Sequence, residues 1–124
     1  WDWFSLHLPG NQELMLYQLR LKSGGVDSFS SGTFVNAEGK STHLKVDDFS
    51  IEPTANWRSP ETGITYPSGW VVKVPAQQLE LHIEPLMKNQ ELPLSFVYWE
   101  GAVQVRNAAG ESLGEGYVEL TGYD

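Results

Sequence analysis

The sequence predicts an all-β domain, an antiparallel meander of about eight or nine strands that closes into a β-barrel. Three observations carry this expectation. Short segments alternate apolar and polar side chains, the period-2 pattern of strands, and no window sustains a helical stripe. Twelve Gly and seven Pro punctuate those segments with turn chemistry. Five Trp, five Tyr and five Phe in 124 residues suit a pleated, half-buried surface. The length allows one domain with one core, expected over residues 1–124. A β-sandwich is the structural alternative.

The first strand is expected over Trp1–Leu8, followed by a turn at Pro9-Gly10-Asn11-Gln12. The second runs from Leu14 to Lys22 and is closed by Ser23-Gly24-Gly25. The third covers Phe29 to Ala37, a short fourth His43 to Lys45, and a fifth surrounds Phe49 to Glu52. Pro53, Pro60 and Gly63 mark 53–63 as a loop. A long strand is expected from Ile64 to Val74, with a bend or bulge at Pro67-Ser68-Gly69, because Pro67 has no donor for a ladder. Leu79 to Glu84 alternates cleanly, Leu86 to Pro93 reads as a loop, and Phe96–Asn107 and Gly114–Tyr123 are the last two strands. A series of short strands with short connections implies a meander, and closure removes its edges.

Pairing outward from a tip at Ala109-Gly110 places Trp99 opposite Leu120, Gly101 opposite Val118 and Val103 opposite Gly116 on one face. The other face pairs Tyr98 with Thr121, Glu100 with Glu119, and Ala102 with Tyr117. The faces sort consistently, and a one-residue slip would mix them. Two carboxylates then oppose each other at a Cβ separation of roughly 5 Å. On an enclosed face such a pair needs one raised pKa or a cation between them, an arrangement also suited to acid–base work. On a wet face solvent screens them. Tyr98 and Tyr117 could line a pocket with polar tips inward.

In the first hairpin, the turn is expected to bring Phe4 near Tyr17 and Trp3 near Gln18. Phe4, Leu6, Leu8, Met15, Tyr17, Leu19 and Leu21 then share a face, while Trp1, Trp3, Ser5, His7, Gln18 and Arg20 mix with Leu14 and Leu16 on the other. A strand apolar on both sides packs on both sides. It is either a barrel wall, with a ligand cavity inside and a second domain outside, or ordinary core with a barrel-end plug.

The net charge of −8 disfavours nucleic acid and anionic membranes as partners. No apolar run approaches the roughly 18 residues that span a bilayer. There is no cysteine, so disulfides and thiolate metal sites are excluded. His7, His43 and His82 are isolated in sequence, and no metal or cofactor is expected. Asp47-Asp48 reads as a solvated turn rather than a calcium loop, and Arg58 with Glu61 as an exposed loop pair. No nucleophile elbow or phosphate-cradling loop is present. The chain opens at Trp1 inside an expected strand and carries no signal-peptide pattern, which reads as a processed product or a domain of a longer protein.

Several strings, in order along the chain, resemble one family. They are Trp-Asp-Trp-Phe (1–4), Leu-Met-Leu-Tyr (14–17), Asp-Asp-Phe (47–49), Trp-Arg-Ser-Pro-Glu-Thr-Gly (57–63) and Tyr-Pro (66–67). Tyr-Trp-Glu-Gly-Ala-Val (98–103) and Gly-Tyr-Val-Glu-Leu-Thr-Gly-Tyr (116–123) complete them. Together they resemble the AttH-like and carotenoid-hydratase-like lipocalin proteins, often described as predicted secreted hydrolases. The resemblance implies two lipocalin-like (calycin) barrels in tandem, with this chain the second and an N-terminal barrel as its missing partner. It also implies a periplasmic or secreted location. Hydratases of this kind carry a Tyr-x-Asp pair on a strand like the second one here. Tyr17 matches the Tyr, but Leu19 stands at the Asp position, so the acid that would protonate an alkene is lacking there.

The function expected from these readings is binding of a hydrophobic small molecule, with Trp3, Tyr17, Trp70, Tyr98 and Tyr117 as contacts and the Glu100/Glu119 pair orienting a polar end. One alternative is a hydratase- or hydrolase-type enzyme using Glu100 and Glu119 as acid and base. The other is a structural barrel whose outer wall, around Trp1 and Trp3, supports the N-terminal domain.

Overall fold

The computed structural model describes residues 1–124 and contains twelve strands and no α-helix. The strands are β1 (Asp2–Leu8), β2 (Gln12–Gln18), β3 (Ser31–Val35), β4 (Ser41–Lys45), β5 (Ser50–Pro53) and β6 (Asn56–Arg58). They continue with β7 (Thr65–Pro67), β8 (Trp70–Val74), β9 (Leu79–Pro85), β10 (Glu91–Pro93), β11 (Val97–Arg106) and β12 (Ser112–Thr121). Nine of them form one antiparallel sheet in the order β4-β3-β2-β1-β12-β11-β9-β8-β5, with β10 also paired to β11. The sheet is an antiparallel meander curled in the manner of a lipocalin-like barrel, and the expected closure by strand pairing is not completed. Its end strands β4 and β5 follow one another through a 3₁₀ turn at Val46–Asp48 without pairing to each other. No helix is long and apolar enough to cross a membrane.

Each long strand sends alternate residues inward, and those residues fill the barrel. Phe4, Leu16, Val72, Leu81, Val103 and Val118 are fully buried, and each such side chain contributes about 1.5–3 kcal/mol of burial. Trp70 sits at the centre, edge-on to Phe4 at 5.5 Å between centroids and 6.4 Å from Trp99. The Trp99 indole N–H donates to the Lys88 carbonyl at 2.8 Å, so the large ring is buried without an orphaned donor.

The final hairpin has the six predicted pairs, Tyr98–Thr121, Trp99–Leu120, Glu100–Glu119, Gly101–Val118, Ala102–Tyr117 and Val103–Gly116, and departs from the expected register near its tip, where a shift after Val105 pairs Arg106 with Ser112. The first hairpin differs by one residue. Pro9, Gly10 and Asn11 make a three-residue turn with Gly10 and Asn11 at positive φ, and Leu8 pairs with Gln12. Trp3 therefore faces Tyr17, and Phe4 faces Leu16. This corrects the expected faces: Leu14 and Leu16 join Phe4, Leu6 and Leu8 in the core, while Met15 and Tyr17 join Trp3 on the outer wall. The turn length decides this, because one added residue turns every side chain of the following strand over.

Strand β2 also ends earlier than expected. The Leu19 N–H donates to Ser30 Oγ, and the Leu19 carbonyl accepts from Asp27 N–H, so the chain leaves the ladder after Gln18. The long strand expected at 64–74 is broken into β7 and β8 at Ser68-Gly69, where the bend was expected. Both expected loops contain a short strand. Strand β6 pairs with β7 as a hairpin, and β10 pairs with the first residues of β11.

Strands β9 and β10 meet the same edge of β11 end to end, and Gln90 fills the gap between them. Its carboxamide oxygen accepts from Ala102 N–H at 2.9 Å, and its NH₂ donates to the Ala102 carbonyl at 3.1 Å. A side chain thus replaces one rung of the ladder. It lies against Gly101, where a Cβ would stand 2.3 Å from the carboxamide carbon.

Candidate functional site

The outer wall of β2, β1, β12 and β11 carries the polar and aromatic residues that alternate with the core. The ladders align Glu100, Glu119, Trp3 and Tyr17 in one row across four strands. Ala102, Tyr117, Ser5 and Met15 form the next row. Tyr98 lies one pair beyond Glu100, opposite Thr121. Tyr117 is 52% exposed, Trp1 47% and Met15 44%.

Gly116 lies so close to β1 that a Cβ would come 2.2 Å from the Ser5 carbonyl. A hollow of about 330 Å³ opens there, lined by Trp3, Ser5, His7, Glu100, Gly116 and Tyr117. A second of similar volume adjoins it, sharing His7, Gly116 and Tyr117 and extending over Ala102 to Leu86. The two form one groove, with Trp3 and Glu100 at one end and Leu86, Ala102 and Val103 at the other, where Glu115 also lines it. His7 Nδ1 lies 3.2 Å from Glu13 at its margin.

Of the residues expected from sequence to contact a ligand, the fold brings Trp3, Tyr17, Tyr98 and Tyr117 onto this wall with Glu100 and Glu119. Trp70 is apart from them, at the centre of the packed interior. Glu100 is exposed and Glu119 half-buried, and neither is in an ion pair. Arg58 and Glu61 do not pair, and the Asp48 carboxylate accepts from Lys45 N–H at 2.7 Å, closing a turn. No three His, Asp or Glu side chains converge as a metal site.

Two polar networks at one end of the barrel were not singled out from sequence. In the first, the buried Asp2 carboxylate accepts from Tyr123 Oη at 2.8 Å and Arg20 Nε at 3.3 Å. The Arg20 guanidinium stacks over the Tyr123 ring at 3.7 Å and donates to the Thr121 carbonyl. Burial raises the Asp2 pKa, against the opposing pull of Arg20 and the Tyr123 hydroxyl. Burial, then Asp2, raises that of Tyr123.

In the second network, Glu91 accepts three hydroxyl hydrogen bonds, from Ser59 at 2.6 Å and from Thr62 and Tyr66 at 2.7 Å each. Burial pushes its pKa up, but the three donors outweigh this and hold it below the usual carboxylate value. Tyr66 is raised by burial and by Glu91. Tyr66 also stacks on Trp57 and touches Tyr123, so the two networks join as one plug. The sequence signals for this were the family strings that hold Asp2, Ser59, Thr62, Tyr66 and Tyr123, while Arg20 and Glu91 lie outside them and remote in the chain.

Comparison with known proteins agrees with this architecture. The family model described as AttH-like matches residues 1–123. A crystal structure of a Nitrosomonas europaea protein (NE1406), provisionally designated AttH, superposes with a TM-score of 0.88 at 36% identity. The alignment covers 100% of this chain and 39% of that one, so the chain spans well under half of that relative's length. Among curated proteins, no sequence match is found.

Proposed function

We propose that this chain, which belongs to the AttH-like family, binds a hydrophobic small molecule on the outer wall of its barrel rather than inside it. One observation carries this reading. The interior is filled by side chains, whereas Trp3, Tyr17, Tyr98, Tyr117 and the Glu100/Glu119 pair share the wall that holds the groove. Aromatic faces supply apolar contact area, and the carboxylates orient a polar end. Acid–base chemistry by the two Glu residues would additionally require that something cover the wall, since Glu100 now faces solvent.

The test is binding of an uncharged fluorescent probe, N-phenyl-1-naphthylamine. Trp3→Ala and Tyr117→Ala should each weaken its binding about tenfold, the loss expected for one aromatic contact of roughly 1.4 kcal/mol. Equal binding by both variants and the parent chain would reject the outer-wall site.

The exposed Trp1, Met15 and Tyr117 favour a second reading, that the same wall seats another domain of a longer protein. The relative's greater length supports it. That domain, an N-terminal lipocalin-like barrel, would roof the groove and exclude water from it, and a location in the cell envelope or outside the cell belongs to the same proposal. Met15→Arg should then abolish co-purification of the two domains expressed as separate chains; undiminished co-purification would reject it.

A further inference from the structure

The groove has a chemical polarity that the binding reading leaves unused. At one end Glu100 and Glu119 stand directly opposite each other, with Cβ atoms roughly 5 Å apart. Neither accepts a hydrogen bond or an ion pair from a protein side chain. The hollow beside them is lined by no Lys or Arg. Along their own row the first lysine is Lys45, four strands from Glu119, on the order of 19 Å across the sheet. Arg106, farther along β11, is engaged by the Gly110 carbonyl and Gln104. The Trp1 amine donates to the Thr121 carbonyl and hydroxyl and feels the Glu119 charge without forming an ion pair with it. Two like charges are therefore held together with no protein cation between them, on a chain whose net charge is already −8.

The walls around them are Trp3 and Tyr117, with Tyr17 next in the row. An indole or phenol face attracts a cation through its quadrupole, most strongly where the site is partly desolvated. The other end of the groove offers Ala102, Val103 and the 59% exposed Leu86 as apolar contacts for a ligand chain, with Glu115 and His7 at its side. Carboxylates and aromatic faces at one end, with an apolar floor at the other, complement a molecule with a positive head and an apolar tail. A carboxylate or sulfate head in the same place would face Glu100, Glu119 and the field of the whole chain.

We infer that the outer-wall groove selects a cationic amphiphile, an alkylammonium or comparable lipophilic amine, with its head between Trp3, Tyr117 and the Glu100/Glu119 pair and its tail toward Leu86. This rests on the outer-wall binding reading and specifies its ligand.

The experiment is calorimetric titration of the chain with three probes that share a twelve-carbon tail: dodecyltrimethylammonium, octaethylene glycol monododecyl ether and laurate, each below its micelle concentration. Dodecyltrimethylammonium should bind at least tenfold more tightly than either of the others. The double variant E100Q/E119Q should bring the cationic-to-neutral affinity ratio close to one. Glu38→Gln, in the distant 36–40 turn, should leave the ratio intact and so separate a local effect from net charge. If the neutral or anionic probe binds as tightly, or the preference survives E100Q/E119Q, the inference is overturned. N-phenyl-1-naphthylamine binding that still depends on Trp3 and Tyr117 would then show that the outer-wall site itself stands. If no probe binds and the naphthylamine result is also negative, both fail together.

Discussion

Two carboxylates near one end of the barrel, the buried Asp2 and the half-buried Glu91, behave in opposite ways, and their surroundings say why. Glu91 receives three hydroxyl donors, so the fold favours its charged form. A lowered folded pKa contributes stability above the unfolded value of about 4.5, and that contribution is lost as pH falls through the folded value. Glu91→Ala should cost about 2–3 kcal/mol in urea unfolding at pH 7, because it strands the buried Ser59 and Tyr66 hydroxyls. The variant's stability should also vary less than the parent's below pH 4.5. Asp2 has the reverse sign. Burial favours its neutral form, so stabilisation is present at low pH and is lost as pH rises through the raised folded value. Asp2→Asn should therefore leave stability at pH 7 unchanged within about 1 kcal/mol or increase it, since Arg20 keeps its stacking on Tyr123 and its bond to the Thr121 carbonyl. A measured loss above 2 kcal/mol would mean that the ion pair with Arg20 outweighs desolvation. Sequence alone could not separate these roles, because hydrogen-bond donors to Asp2 and Glu91 come from distant parts of the chain.

Among the elements, β11 shows how a sheet edge is completed by a side chain. Gln90 supplies the rung between β9 and β10, and Gly101 leaves room for it. Gln90→Ala should cost about 1–2 kcal/mol, from the unpaired Ala102 N–H, since the Ala102 carbonyl still accepts from Leu86 N–H. Gly101→Ala should cost a similar amount in the parent chain, because the new methyl displaces the carboxamide. In the Gln90→Ala background it should cost much less. A double-mutant cycle of urea midpoints checks this, and additive losses would remove the link between the two residues. The facing of the final hairpin was legible, because alternation on both strands excludes a one-residue slip; a two-residue slip keeps the same faces, and the tertiary structure excludes it. The first was not. Its strands are apolar on both faces, so patterning tolerates either register, and a turn with Gly10 and Asn11 at positive φ decides between them.

Across the whole molecule, the barrel has an inside that stabilises and an outside that carries the candidate chemistry. Trp99→Ala should lose about 3–5 kcal/mol, a cavity at the centre of the core. Tyr117→Ala should change stability by less than about 1 kcal/mol, because its ring stands half in water. Thermal and urea unfolding of the two variants, set beside their naphthylamine binding, would separate fold from function. A Tyr117→Ala variant as unstable as Trp99→Ala would place that ring in the core's energetics instead.

The sequence by itself determined the all-β class, the family, the acidic surface and the two faces of the last hairpin. Each is written in local alternation, composition or contiguous strings. The tertiary structure alone decided which face of the wall is the inside. It turned Met15 and Tyr17 outward, set Trp70 apart from the other aromatic candidates, and gathered Asp2, Arg20 and Tyr123, and Glu91 with Ser59, Thr62 and Tyr66, into one plug. The physical reason is the same in each case. Period-2 patterning separates two faces but carries no label for the core when both are apolar, and contacts between distant segments exist only once the sheet has curled.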